Sequence, residues 1–230
     1  MLYRELFNKD VISKNFNNDK LSHALFGKQT YPIKREKINV EKGEFLIHEN
    51  ELHDSIYLVV EGLLSVRKSL HIIRIVGKKN FIGFDSILGN ENSFFTVEAL
   101  RDATLWRFSK MDVICKLMSK QEGLFYLYNE MKSINGHLIQ QNMFLRKSSK
   151  TRILNNMILL GKQYGEENSK FITLPECLSK QIIANYSNAT QATMRVICKQ
   201  LSNDSILEET HQLMINKSRV KEYKNLAMLL

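Results

Sequence analysis

From residue 33 to residue 108, short apolar runs alternate with turn-forming residues. REKINV (35–40), FLI (45–47), SIYLVV (55–60), LLSVRKS (63–69), HIIRIV (71–76), FFTVEAL (94–100) and ATLWRF (103–108) predict strands. Lys42-Gly43, Glu61-Gly62, the Gly77–Asn80 tract and Gly89-Asn90 punctuate them. Many short strands at close spacing predict a compact antiparallel barrel or sandwich. Residues 1–30 are polar with scattered Leu and Phe, and predict one or two short helices.

After Phe108 the period changes from strand-like to helical. Ser109 with Asp112, and Ser119 with Glu122, read as two helix-capping signatures. From the second cap, Leu124, Leu127, Met131, Ile134, Leu138, Gln141 and Leu145 recur at alternating steps of three and four, a heptad seam. Residues 121–147 as one helix would be about 40 Å long. So narrow a stripe on so long a helix predicts pairing with a second copy, with Gln141 weakening the pair slightly and fixing its register. Packing on its own barrel is the alternative. Gly136 lies off the seam, at an unexplained cost to the helix.

Ser148–Tyr164 carries a helical face of Ile153, Leu154, Met157, Ile158 and Leu160, ending near Gly165. Phe171–Leu174 predicts a short strand that Pro175 stops. Ser179 is a candidate N-cap for a short helix through Tyr186. Ser187, Asn188 and Ala189 then form a tight turn, and Thr190 caps a second helix to about Leu201. Met194, Ile197, Cys198 and Leu201 form its apolar face, while Gln191, Arg195 and Lys199 fall on another. Helix, short turn and polar-faced helix predict a helix-turn-helix, although an ordinary helical hairpin has the same outline. The second helix of such a motif fits the major groove. The candidate DNA-binding residues are Ser179, Lys180, Gln181, Thr190, Gln191, Ala192, Thr193, Arg195 and Lys199. Arg pairs with guanine and Gln with adenine, whereas Lys199, Lys180 and Gln181 suit phosphates. Residues 205–216 predict a hairpin wing, whose Glu208 and Glu209 would repel phosphates.

Charge strengthens this picture. The 230 residues hold 33 Lys and Arg against 24 Asp and Glu, a net +9. Residues 146–230 hold 13 basic and 7 acidic groups, so the excess is densest in the C-terminal part. By itself it would also suit an anionic membrane or mere solubility. No apolar run approaches a membrane span, and the first twenty residues hold no signal-peptide core, so a cytoplasmic protein is expected.

Other residue types exclude more than they suggest. Cys115, Cys177 and Cys198 are scattered and predict buried thiols rather than a disulfide framework or metal site. The six histidines show no ligand spacing and are read as surface or loop residues. Trp106 and the Phe94-Phe95 pair are read as barrel core, and Lys78-Lys79 as a solvated turn. No Ser-His-Asp set, carboxylate pair or phosphate loop appears, so an enzyme reading has no candidate site. No cofactor or metal is expected.

Over residues 33–216 the sequence resembles the CRP/FNR family of bacterial transcription regulators. The likeness rests on KGEFLIHENE (42–51), IYLVVEGLLSV (56–66), NFIGFDSIL (80–88) and the Leu178–Leu201 segment. The resemblance implies an α+β fold: an antiparallel, jelly-roll-like β-roll of the cyclic-nucleotide-binding type, a long dimerisation helix and a C-terminal winged helix-turn-helix. The divisions expected are 1–118, 119–147 and 148–230. Cyclic-AMP-binding members use a Gly-Glu and an Arg-Ser pair, matched here by Gly83-Phe84 and Asn92-Ser93. With Asp85, these make a vestigial or altered effector pocket. Losing the Arg costs on the order of 1.5–3 kcal/mol, so cyclic AMP is not the expected effector. In the second helix the family's Arg-Glu-x-x-x-Arg pattern becomes Gln191, Ala192 and Val196, with Arg195 one place early. A different operator follows, in which Ala192 or Val196 could meet a thymine methyl.

The expected function is a homodimer on palindromic promoter DNA, with RNA polymerase as a further partner and no membrane partner. Its activity is either effector-free or set by a non-nucleotide ligand. Glutathione-responsive members of the PrfA type in low-GC bacteria offer an analogy for the latter. The alternative is a ligand-sensing module whose C-terminal domain binds a protein.

Overall fold

Two 14-residue strands, β3 (Ser55–Lys68) and β6 (Thr96–Ser109), pair antiparallel through the N-terminal sheet and carry its other strands. The computed structural model describes residues 8–27, 31–88 and 91–222. β1 (Arg35–Val40) and β2 (Phe45–Ile47) pair with β6, while β4 (His71–Gly77) and β5 (Phe81–Ile82) join β3. The break expected at Glu61-Gly62, and the gap left between the runs 94–100 and 103–108, both lie within continuous strands. Register shifts between Val59 and Leu64 absorb the change in direction. Gly62 has φ +108°, and a Cβ there would lie 2.3 Å from that of Ala103. A turn residue in the sequence is a bulge residue in the fold.

β3 is buried on both faces to either side of Glu61, which explains its two apolar runs. Tyr57 and Val59 join Val40, Leu64, Val97 and Leu105 inside the roll. Ile56 and Leu58 point the other way, beneath Leu21, Leu25, Phe108, Val113 and Leu117. The first two of that layer come from α2 (Asn18–Phe26), which follows α1 (Lys9–Asn15). Trp106 is half-buried there, edge-on to Phe26. Phe94, expected in the core, is instead 52% exposed, because it precedes β6 rather than opening it.

Ser109 caps α3 (Lys110–Met118) as expected, accepting from Asp112 N. Ser119 does not start the next helix. Its N–H donates to Cys115 O at 2.9 Å, so it closes α3. The long helix α4 runs Gly123–Leu145, shorter than the expected 121–147. Beyond it come α5 (Ser149–Tyr164), β7 (Glu166–Glu167), β8 (Phe171–Thr173), α6 (Lys180–Tyr186) and α7 (Gln191–Asn203). β9 (Leu207–Glu209), β10 (Leu213–Asn216) and α8 (Lys217–Glu222) complete the described residues. β9 and β10 form the expected hairpin, within a four-stranded sheet ordered β7-β8-β10-β9.

Packing divides the chain into two units, one of residues 1–70 and 74–138, the other of 71–73 and 139–230. The division falls inside α4, after Leu138. In the second unit Ile153, Leu154, Met157, Ile158 and Leu160 of α5 are buried, as are Met194, Ile197, Cys198 and Leu201 of α7. Among the described residues no helix is long and apolar enough to cross a membrane.

Candidate nucleic-acid interface

Side-chain caps set both helices of the motif. Ser179 Oγ accepts from Ile182 N at 3.4 Å, and Thr190 Oγ1 from Thr193 N at 3.1 Å. Between them Asn188 takes φ +49°, a left-handed conformation in a turn without glycine. With the apolar side of α7 buried, Gln191, Ala192, Arg195, Val196 and Lys199 are exposed together. Val196 is 58% exposed, an apolar tip in a polar stripe. Thr193 is half-buried, its hydroxyl 2.9 Å from that of Thr190, so both threonines serve the cap. Gln181 is exposed on α6. Lys180 forms an ion pair with Glu209 of β9, so the cation expected to meet a phosphate is held by the wing.

The effector residues come together only in part. Gly83 (φ +95°) opens a 3-10 turn, Phe84–Ser86. Phe84 is buried in the outer core, edge-on to Phe81. Asp85 Oδ2 accepts from Phe94 N at 3.2 Å, and Ser93 Oγ donates to Phe95 O at 2.8 Å. Asn92 is exposed and forms an isolated bridge with Leu52. The only charged side chain among these five is Asp85.

The turn is pinned by residues that sequence reasoning passed over. His53, read as a loop histidine, is half-buried: Nδ1 lies 3.0 Å from Ser55 O and Nε2 2.8 Å from Ser86 Oγ. A carbonyl only accepts, so Nδ1 carries the proton and Nε2 accepts from Ser86. Burial, then the nearby Lys110 cation, holds the imidazole pKa below its usual value. Buried Lys110 donates to Ser86 O at 2.6 Å. A hydrophobic contact pattern could not signal these long-range polar pairs. Beside the turn lies a cavity of about 800 Å³ walled by Ile12, Phe84, Leu88, Leu124, Tyr128 and Met131.

The seam of α4 is largely uncovered. Leu124, Met131, Leu138 and Leu145 are exposed, and Leu127 and Ile134 half-buried. Gln141 departs from its expected place there. Its Nε2 donates to the Tyr186 hydroxyl at 2.8 Å and to Asn156 Oδ1 at 3.3 Å, which turns its amide into the second unit. Of the cysteines, Cys198 is buried and its thiol pushed up to about 11 by that burial, while Cys115 and Cys177 are half-buried.

A β-roll, a long helix and a winged helix-turn-helix in one chain define the class of protein. Residues 37–120 match the cyclic nucleotide-binding domain family model. The fold is shared with solved structures that include CRP/FNR transcriptional regulators. FixK2 from Bradyrhizobium japonicum is 16% identical with a TM-score of 0.72, covering 84% of this chain and 97% of its own. A cyclic nucleotide-binding domain containing protein from Listeria monocytogenes EGD-e is 20% identical, TM-score 0.69, covering 87% and 97%. TTHA1359, a CRP/FNR-family transcriptional regulator from Thermus thermophilus, is 15% identical, TM-score 0.64, covering 84% and 98%. No curated protein matches in sequence.

Proposed function

We propose that this chain is a non-enzymatic transcription regulator of the CRP/FNR type, reading palindromic promoter DNA as a cytoplasmic homodimer. The observation that carries the reading is α7, whose apolar side is buried while Gln191, Arg195, Val196 and Lys199 stand exposed. Arg and Gln read purine edges, Val196 suits a thymine methyl, and Lys199 suits a phosphate. The net basic charge supplies non-specific attraction to the duplex. The uncovered α4 seam supports pairing with a second copy, which would present two α7 helices to successive grooves about 34 Å apart. RNA polymerase is the partner through which a bound dimer would act.

The roll is read as insensitive to cyclic AMP, since Asn92 replaces the phosphate-binding cation and Asp85 adds a negative charge. Activity is then effector-free or set by a non-nucleotide ligand, for which the apolar cavity beside Phe84 is the candidate place. The test is selection of bound DNA from a random pool, followed by gel-shift titration at several salt concentrations. A twofold-symmetric site is expected, with affinity falling steeply as salt rises. Arg195→Ala should weaken the selected site more than random DNA. No enriched site, together with salt-insensitive capture of a protein, would favour a C-terminal domain that binds protein.

A further inference from the structure

On α5, Arg152 and Asn156 lie one turn apart and both reach Ser187, the first residue of the turn between α6 and α7. Arg152 Nε donates to Ser187 O at 2.7 Å and Nη2 to Asn188 O at 3.2 Å. Its Nη1 donates to Lys147 O at 3.2 Å, and Nη2 is also 3.4 Å from Ser149 Oγ. Asn156 Nδ2 donates to Ser187 Oγ at 3.0 Å, and Asn156 Oδ1 receives the Gln141 amide that also reaches Tyr186. Asn156, Ser187 and Tyr186 are all buried. One polar chain therefore joins the last turns of α4, the face of α5, the end of α6 and the helix-turn-helix turn.

The chemistry explains why these residue types stand here. Carbonyls at the end of a helix need donors, and a planar guanidinium supplies several in a fixed fork. The turn has no glycine and holds Asn188 in a left-handed conformation, so its shape depends on what binds its carbonyls. That shape sets the direction in which α7 leaves α6. Base readout depends on the direction far more than phosphate contact does.

We propose that Arg152 and Gln141 are positioning residues for α7, fixing its exit angle so that Arg195 and Gln191 meet base edges. The proposal rests on the DNA-binding reading. It also gives Gln141 a task other than register in a helix pair.

The test compares Arg152→Met and Gln141→Met with wild type on the selected site and on random DNA, each alone and combined with Arg195→Ala. If Arg152→Met fails to fold, Arg152→Lys keeps the charge and loses the fork. The expected result is a loss of roughly ten- to a hundredfold on the selected site, with random-DNA affinity and its salt slope unchanged. Arg195→Ala should then cost little more, because a misdirected helix has already lost that contact. Additive losses with a shallower salt slope in Arg152→Met would mean that Arg152 touches DNA itself, and would overturn the proposal. Equal loss on both DNAs with a lower melting temperature would make it a fold residue only, and would also overturn it. If wild type selects no DNA site, the functional reading fails separately, and amide exchange at Asn188 and Ala189 decides the positioning. Faster exchange in both single variants sustains it, and unchanged exchange overturns it.

Discussion

Lys180 on α6 and Glu209 at the end of β9 are ion-paired, so the wing neutralises a cation on the face expected to meet DNA. Both side chains are partly exposed, so the pair contributes no more than about 1 kcal/mol to stability. Its larger effect is on charge. Glu209→Gln should leave the melting temperature nearly unchanged and tighten DNA binding by roughly two- to fivefold at low salt. The salt slope should steepen by about 0.9, the increment of one neutralised phosphate. Titration at four salt concentrations checks this, and a slope equal to wild type would show that Lys180 does not reach the backbone.

Thr190 caps α7 while its hydroxyl holds that of Thr193. Thr190→Ala should destabilise the chain by about 1 kcal/mol in urea titration, the usual worth of a lost N-cap. Thr190→Ser, which keeps the acceptor, should recover most of that loss. Equal losses for the two variants would place the contribution in the methyl group rather than the cap.

Much of this was legible in the chain itself. β1 and β2 coincide with their apolar runs, and the caps Ser179 and Thr190 were marked by their residue types. What stayed hidden depended on distant partners. Gly62 reads as a break until Ala103 is seen against it, and Ser119 suits the end of one helix as well as the start of the next. Gln141 occupies an apolar slot of the heptad, and nothing local reveals that Tyr186, 45 residues on, accepts its amide. His53 looks like any loop histidine without Ser86.

That histidine makes stability depend on pH. Burial and Lys110 depress its folded pKa below the ordinary 6.5, so its contribution is fully present above about 6.5. It is lost as the pH falls through the folded value, because the unfolded chain binds the proton first. Glu130, whose carboxyl is raised by burial, works oppositely and loses stability as pH rises above its unfolded value. His53→Gln keeps a donor for Ser55 O and an acceptor for Ser86 without titrating. As pH falls from 7.5 to 5, the wild-type urea midpoint should drop relative to that of the variant. A constant gap between them would remove His53 from the pH response.

The α4 seam offers the most direct test of self-association. Leu138 is 37% exposed and Leu124 63%, so a charge at Leu138 keeps access to water in a lone chain. In a pair, Leu138→Glu would bring two unpartnered carboxylates into one apolar stripe, where desolvation and like charge both oppose assembly. The dimer dissociation constant should rise by roughly a hundredfold, about 2.7 kcal/mol. Sedimentation should then find single chains at concentrations where wild type is paired, with circular dichroism unchanged. Affinity for a full palindrome should drop toward that for a half-site, since each α7 would bind alone. A variant that stays paired, or a wild type already single at micromolar concentration, would assign the stripe another role and leave α7 to read DNA as a monomer.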